Sequence, residues 1–476
     1  MKKLYILIIP FVLFLSSCTQ DITDLNVETK RAAVIPPGPL FTNAIKSLSD
    51  GLASASVNVN IFRHIVKHWG QAVIQQEAQY DYITRAVNEN WWSRMYKDVL
   101  NDLQEAARII NEDESLSAAK KANQLAMVDI MQVYTYDVLI KTFGDIPYTE
   151  ALDNNNLFPV YDDAQTVYYD LLSRLDENIA NLDSSAPGFS PSEDIIYQGN
   201  VSKWIAFANS LKLRMAMTLA DVDVATAKTA FEQANANAIN SADQDAFIKY
   251  YSSPPNNNPL YDQLVLAGRT DYIAAVDLLD ELIELEDPRL PGYFGLNAEG
   301  EYAGGVVGRA TNFSLSSKPS ARVAAPDAPN VLIDFVEVEF LRAEAVERGF
   351  DIPGTAEEHY NNAVTASILY WGGDEAAAEQ YLSQPEVAYS TAAGDWKQKI
   401  GFQKWIALYN RPFEAWVEMR RLDHPNLPLA ENAVSGFPNR LRYPGNEQQL
   451  NNANYSTAAS NIGGDETETK LFWDVF

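Results

Sequence analysis

The stretch from 199 to 223, GNVSKWIAFANSLKLRMAMTLADVD, limits most strongly what this chain can fold into. Trp204, Ala208, Leu211, Met215 and Leu219 recur at steps of four and three. That spacing puts them on one stripe of a 3.6-residue period, and the stripe must be buried. Ala206, Ala216 and Ala220 are small enough to let neighbouring helices approach closely, while Asn200 or Ser202 can cap the first turn. The stretch carries no recognisable chemistry, so it is a packing element that needs other helices around it.

The rest of the chain supplies them. Helical periodicity covers 41–52, 59–76 and 92–111, the last with Trp92, Tyr96, Val99, Leu103, Ala106 and Ile110 on its stripe. The segment 120–143 is apolar nearly all round and belongs in the centre, stopping at Gly144 with Pro147 beyond. Further helices are expected over 162–182, 224–239, 331–348, 355–369, 376–382, 396–409 and 411–421. In the last of these, Asn410 can cap and Pro412 sits in the first turn. The texture changes at 252–259, SSPPNNNP, and between Gly292 and Gly308 six glycines fall within seventeen residues. Only 271–285 reads as helix there. Helices of about twenty residues on short turns favour antiparallel neighbours, as in solenoids, although no clean 34-residue repeat stands out. The expected fold is all-α: a tetratricopeptide-like helical array packed against a loop-rich, irregular second half. Its parts are a helical region 40–251, a loop-rich ligand-binding insertion 252–330, further helices 331–421 and an irregular C-terminal wrap 422–476 with a short hairpin.

At the N-terminus Lys2 and Lys3 precede an apolar run over 4–15, too short to span a hydrocarbon core of ~30 Å. Leu15-Ser16-Ser17-Cys18 has the form of a lipobox, so 1–17 is expected to be a signal peptide and Cys18 a lipidated anchor. Residues 18–39, acidic and then Pro-rich, would be the tether. Cys18 is the only cysteine, which leaves the remainder without a disulfide or thiol nucleophile. A net charge of −28 repels nucleic acid.

Enzyme signatures are absent: no Gly-x-Ser-x-Gly, His-Glu-x-x-His, Gly-x-Gly-x-x-Gly or phosphate loop, and no motif for a cofactor. His64 and His68 have metal-ligand spacing, but Arg63 and Lys67 beside them would repel a cation, so surface or packing histidines are expected. Glu337, Glu339 and Glu344, with Arg342 and Arg348, read as solvated or mutually paired charges. Among 64 acidic residues close carboxylate pairs arise by chance, and a surface glycoside hydrolase stands as the competing class. The loop region instead gathers Tyr261, Tyr272, Tyr293, Phe294, Tyr302 and Phe313 with Arg269, Arg289 and Arg309 and several asparagines. Rings on irregular chain with amide and guanidinium neighbours suit sugars, which stack their C–H faces and bond their hydroxyls; they suit peptides as well.

Five stretches carry a resemblance: KTFGDIPYTEAL (141–152), DIIYQGNVSKWIAFANSLKLRMAMTLADVD (194–223), DFVEVEFLRAEAVERGF (334–350), QKWIALYNRPFEAWVEMRRLDHPNL (403–427) and RLRYPGNEQQLNNANY (440–455). Together they resemble the SusD/RagB family of nutrient-binding outer-membrane lipoproteins of Bacteroidetes, in its shorter branch. The resemblance implies a lipid-anchored, cell-surface protein in the outer membrane. It would bind oligosaccharides, or oligopeptides, as a lid on a SusC-like TonB-dependent barrel transporter. Since such a site must be preformed on loops, Trp91, Tyr82, Tyr302 and Arg309 are expected to border one cleft, with Tyr293 and Phe313 on the same Gly-rich loop. Trp91 is expected to face outward because Trp92 is committed to its helix stripe.

Overall fold

A computed structural model describes residues 35–476. The expected signal peptide, the Cys18 anchor and most of the tether lie outside the described residues. Helix α1 (Pro37–Ala53) is followed by a short turn of helix (Phe62–Ile65) and strand β1 (Trp69–Gln71). The helix expected over 59–76 therefore does not form. His64 and His68 lie in its place, buried, each with a ring N–H donating to a carbonyl, Trp69 at 3.1 Å and Trp405 at 3.0 Å. Burial pushes His68 down to about 3, so it is a neutral packing group.

Helix α2 (Val87–Ser93) runs into a π-helical segment (Arg94–Leu100) and then α3 (Asn101–Glu112). A π segment turns through fewer degrees per residue than an α-helix. The buried stripe upstream therefore passes through Val87, Trp91, Met95 and Val99 rather than through Trp92 and Tyr96. Below the segment the expected Leu103, Ala106 and Ile110 are buried.

Helix α4 (Ala118–Phe143), capped by Ser117, is buried along most of its length and ends at Gly144, whose φ of 89° only glycine adopts without strain. Its last carbonyls are satisfied from afar: Lys141 accepts from Arg420 at 3.1 Å, Phe143 from Arg440 at 2.8 Å and Thr142 from the Leu441 N–H at 2.9 Å. Helices α5 (Ala164–Asn181), α6 (Val201–Thr218) and α7 (Val224–Asn235) start at Asp163, Asn200 and Asp223, each accepting an amide of the first turn. Helix α6 is buried on all sides. Trp204 packs near Phe41 and donates to Asp194 at 2.8 Å.

Beyond α7 come β2 (Ala246–Ile248), β3 (Tyr272–Ala274), α8 (Val276–Glu284), β4 (Phe294–Gly295), β5 (Lys318–Pro319) and β6 (Asn330–Ile333). The strands form three two-stranded antiparallel pairs, β1–β3, β2–β6 and β4–β5, among otherwise irregular chain. Helices α9 (Phe335–Glu347), α10 (Ala356–Tyr370), α11 (Glu375–Leu382), α12 (Trp396–Ala407) and α13 (Pro412–Leu422) follow. Helix α4 packs on α5, α6 on α7, and α9 on both α10 and α12.

Of the charged residues of α9, Glu337, Glu339, Arg342 and Glu344 are buried and paired rather than solvated, while Glu347 is exposed. Glu337 accepts from Nε and Nη2 of Arg214 at 2.6 and 2.8 Å and also pairs with Arg411. Glu344 joins Arg421 to Arg348, and Glu418 joins Arg421 to Lys404. The C-terminal segment holds two short helices, Gly445–Leu450 and α14 (Asn452–Asn461), where a hairpin was expected.

Candidate functional site

Three irregular segments meet on one face. The first, 71–86, is built on Gln71, which is fully buried. Its amide donates to Glu77 at 3.1 Å and Asp271 at 3.2 Å and accepts from the Ala78 N–H at 3.0 Å. Asp271 also takes the N–H groups of Val73 and Ile74, at 2.7 and 3.0 Å, so the loop is held from beneath by buried polar groups. The second is the Gly-rich segment 303–313. It is tied to the first by Thr311 N–H to Ala72 O at 2.9 Å and by the Gln79 amide to Gly308 O at 2.8 Å. The third, 429–434, lies across both. Glu431 N–H donates to Val307 O at 2.8 Å, Val434 N–H to Gln79 O at 2.9 Å, and Ala430 N–H to the Tyr80 hydroxyl at 3.1 Å. Gly308, at φ 88°, passes so close to the Glu431 carbonyl that a Cβ would collide with it.

The expected site residues divide on this frame. Arg309 is 58% exposed and reaches Glu431 at 3.3 Å. Tyr302 and Phe313 are half-buried, Phe313 with the Lys318 ammonium 4.7 Å from its ring. Tyr82, Trp91 and Tyr293 belong to the core. Trp91 is fully buried, edge-on to Phe62 at 5.2 Å, with its N–H on Thr142 at 3.3 Å; the π segment below it turned it inward. It is Trp92 that is half-buried, near-parallel to Tyr161 at 6.0 Å. Tyr293 stacks on Tyr409 at 3.9 Å and donates to Ile406 O at 2.8 Å. Tyr82 is 2% exposed and its hydroxyl has no partner among the described residues; burial pushes it well above its ordinary pKa. Exposed apolar side chains come from the same segments: Val73, Ile83, Leu429 and Val434.

The segment 429–434 was missed in the sequence because its hydrogen bonds to the other two segments are all distant in the chain. Also missed were two adjoining clefts of about 730 and 780 Å3 on either side of β2, which share Asp245, Phe247, Lys249 and Tyr250. The only local signal was the Tyr250-Tyr251 pair before SSPPNNNP.

The helical scaffold holds these irregular loops on buried polar anchors, with exposed apolar and guanidinium groups and half-buried rings on them, an arrangement suited to binding. The sequence matches the model of the SusD-like family described as starch-binding and associating with the outer membrane, over residues 29–444, and the chain belongs to that family. It is a binding protein rather than an enzyme. No curated protein matches the sequence. Among solved structures it is similar to a chitin-binding protein, at 25% identity and a TM-score of 0.78, over 92% of this chain and 100% of the other. A SusD homologue from Bacteroides uniformis has 24% identity and a TM-score of 0.78, over 92% and 99% of the two chains. A chitin-binding SusD homologue from Flavobacterium johnsoniae has the same identity and TM-score, over 92% and 98%. These likenesses make the tetratricopeptide-like architecture a property of this chain.

Proposed function

We propose that the protein is a cell-surface lipoprotein of the outer membrane that captures oligosaccharides on the face formed by 71–86, 303–313 and 429–434. It hands them, as a lid, to a TonB-dependent barrel transporter. The observation that carries this reading is the match of residues 29–444 to a starch-binding, outer-membrane-associated family. The likeness at 25% identity to a chitin-binding protein supports a glycan as ligand. Arg309, Tyr302 and Phe313 are the side chains offered to it, a guanidinium fork for hydroxyls and two rings for sugar faces. The exposed Val73, Ile83, Leu429 and Val434 suit burial against a partner. Lipidation of Cys18, followed by the acidic Asp21 and Asp24, supplies the anchor and the surface address.

The test is a titration of the chain without residues 1–18 against starch and chitin oligosaccharides and against mixed oligopeptides. Saturable binding of an oligosaccharide is expected. Binding of peptides alone would replace the ligand class, and release of reducing sugar at enzymatic rates would overturn the binding role. In the cell, Cys18→Ala should release soluble protein, and continued membrane retention would contradict the anchor.

A further inference from the structure

The two clefts beside β2 are separate from the three-loop face in every residue that lines them, and their contents are unusual for this chain. In a sequence with 64 acidic and 36 basic residues, one cleft gathers Lys46, Lys203 and Lys249 against Asp243 and Asp245. Two of the three ammoniums are engaged: Lys46 with Asp50 at 2.5 Å, and Lys203 with Asp243 at 3.8 Å. Lys249 is exposed, lines both clefts and has no ion-pair partner among the described residues. Burial, and the Asp334 carboxylate beside it, push the Asp245 carboxyl upward, which weakens the negative charge on this wall.

The walls carry ring faces. Phe247, on β2 between the clefts, lies near-parallel to Tyr370 at 5.9 Å, and the Arg322 guanidinium sits 5.3 Å from the Tyr370 ring and is bonded to the Tyr370 carbonyl. Tyr251, at the other end, is 68% exposed on a turn fixed by its N–H to Asn256 O at 2.8 Å. Gln198, Asn200 and Asn256 add exposed amides around it. Each cleft alone has the volume of a small-molecule site, about 300 to 1,000 Å3. Contiguous, they fit an oligomer whose rings stack in series while hydroxyls meet amides. The unpaired ammonium at their junction, among the described residues, favours a carboxylate there.

We infer that the trough formed by these two clefts is a second carbohydrate site, for acidic oligosaccharides, with Phe247 and Tyr251 as stacking platforms and Lys249 as the carboxylate partner. It stands independently of the loop face: the proposed function fails if no neutral oligosaccharide binds, whereas this inference is decided by the acidic probe. The chain without residues 1–18 is titrated with oligogalacturonate and with the same oligomer methyl-esterified. Oligogalacturonate should bind, Lys249→Ala should weaken it about tenfold, and the ester should be indifferent to that substitution. Tyr251→Ala, at an exposed position that leaves folding intact, should weaken both probes about fivefold. Failure of oligogalacturonate to bind would overturn the inference, as would binding unaffected by Lys249→Ala and Tyr251→Ala, or an acidic oligopeptide that competes more strongly than the sugar.

Discussion

The helical core and the three-loop face treat polar groups in opposite ways. In the core, Arg421 is fully buried and bonded to two carboxylates, Glu344 of α9 and Glu418 of its own helix α13. On the face, Arg309 meets Glu431 at 3.3 Å while both side chains stay wet. The same residue types thus fix helix positions in one place and remain available to a ligand in the other. Burial decides between them, because a desolvated charge must be matched whereas a hydrated one need not be.

The contrast is broken most directly by removing a buried partner. Glu344→Ala would remove the carboxylate shared by Arg421 and Arg348, leaving one with Glu418 and the other with Asp221, and should cost about 3 kcal/mol, read as a loss of melting temperature. A change of less than about 1 kcal/mol would mean that these charges are hydrated. Trp91→Ala should cost about 3 kcal/mol by opening a cavity against Phe62 and Phe413. Its expected signature is lost stability at unchanged affinity, and the converse would return Trp91 to the site.

Acid sharpens the comparison. The Arg421 and Arg348 guanidiniums hold Glu344 down at about 2, against the burial that opposes ionisation. A depressed folded-state value contributes stability that is present above the unfolded-state range near 4.5 and is lost as pH falls towards 2. Unfolding followed from pH 6 to pH 2 should therefore steepen below about 4.5, and Glu344→Gln should flatten that part of the curve. The smallest stability effect belongs to the face. Arg309→Ala should leave the melting temperature unchanged within error, since exposed ion pairs contribute little, while weakening oligosaccharide binding about fivefold to tenfold.

How much of this could be read from the sequence follows the reach of each interaction. The cap at Asn200 and the stop at Gly144 are local chemistry, and they appear where expected. The inward turn of Trp91 was not legible, because it depends on a π segment at Arg94–Leu100 that a 3.6-residue period cannot represent. The failure of a helix over 59–76 has a tertiary cause: Trp69–Gln71 pairs with Tyr272–Ala274, about two hundred residues away. Of the site, the Gly-rich segment with Tyr302, Arg309 and Phe313 was visible as composition. The 429–434 segment that covers it was not, since its partners Gln79, Tyr80 and Val307 are all remote.

The central claim is that ligand capture takes place on the three-loop face while the helices only hold that face in position. Hydrogen–deuterium exchange of the chain with and without a chito-oligosaccharide tests it most directly. The account predicts new protection in 71–86, 303–313 and 429–434, with the amides of α4, α6 and α9 unchanged. Protection that appears only outside those three segments would contradict it.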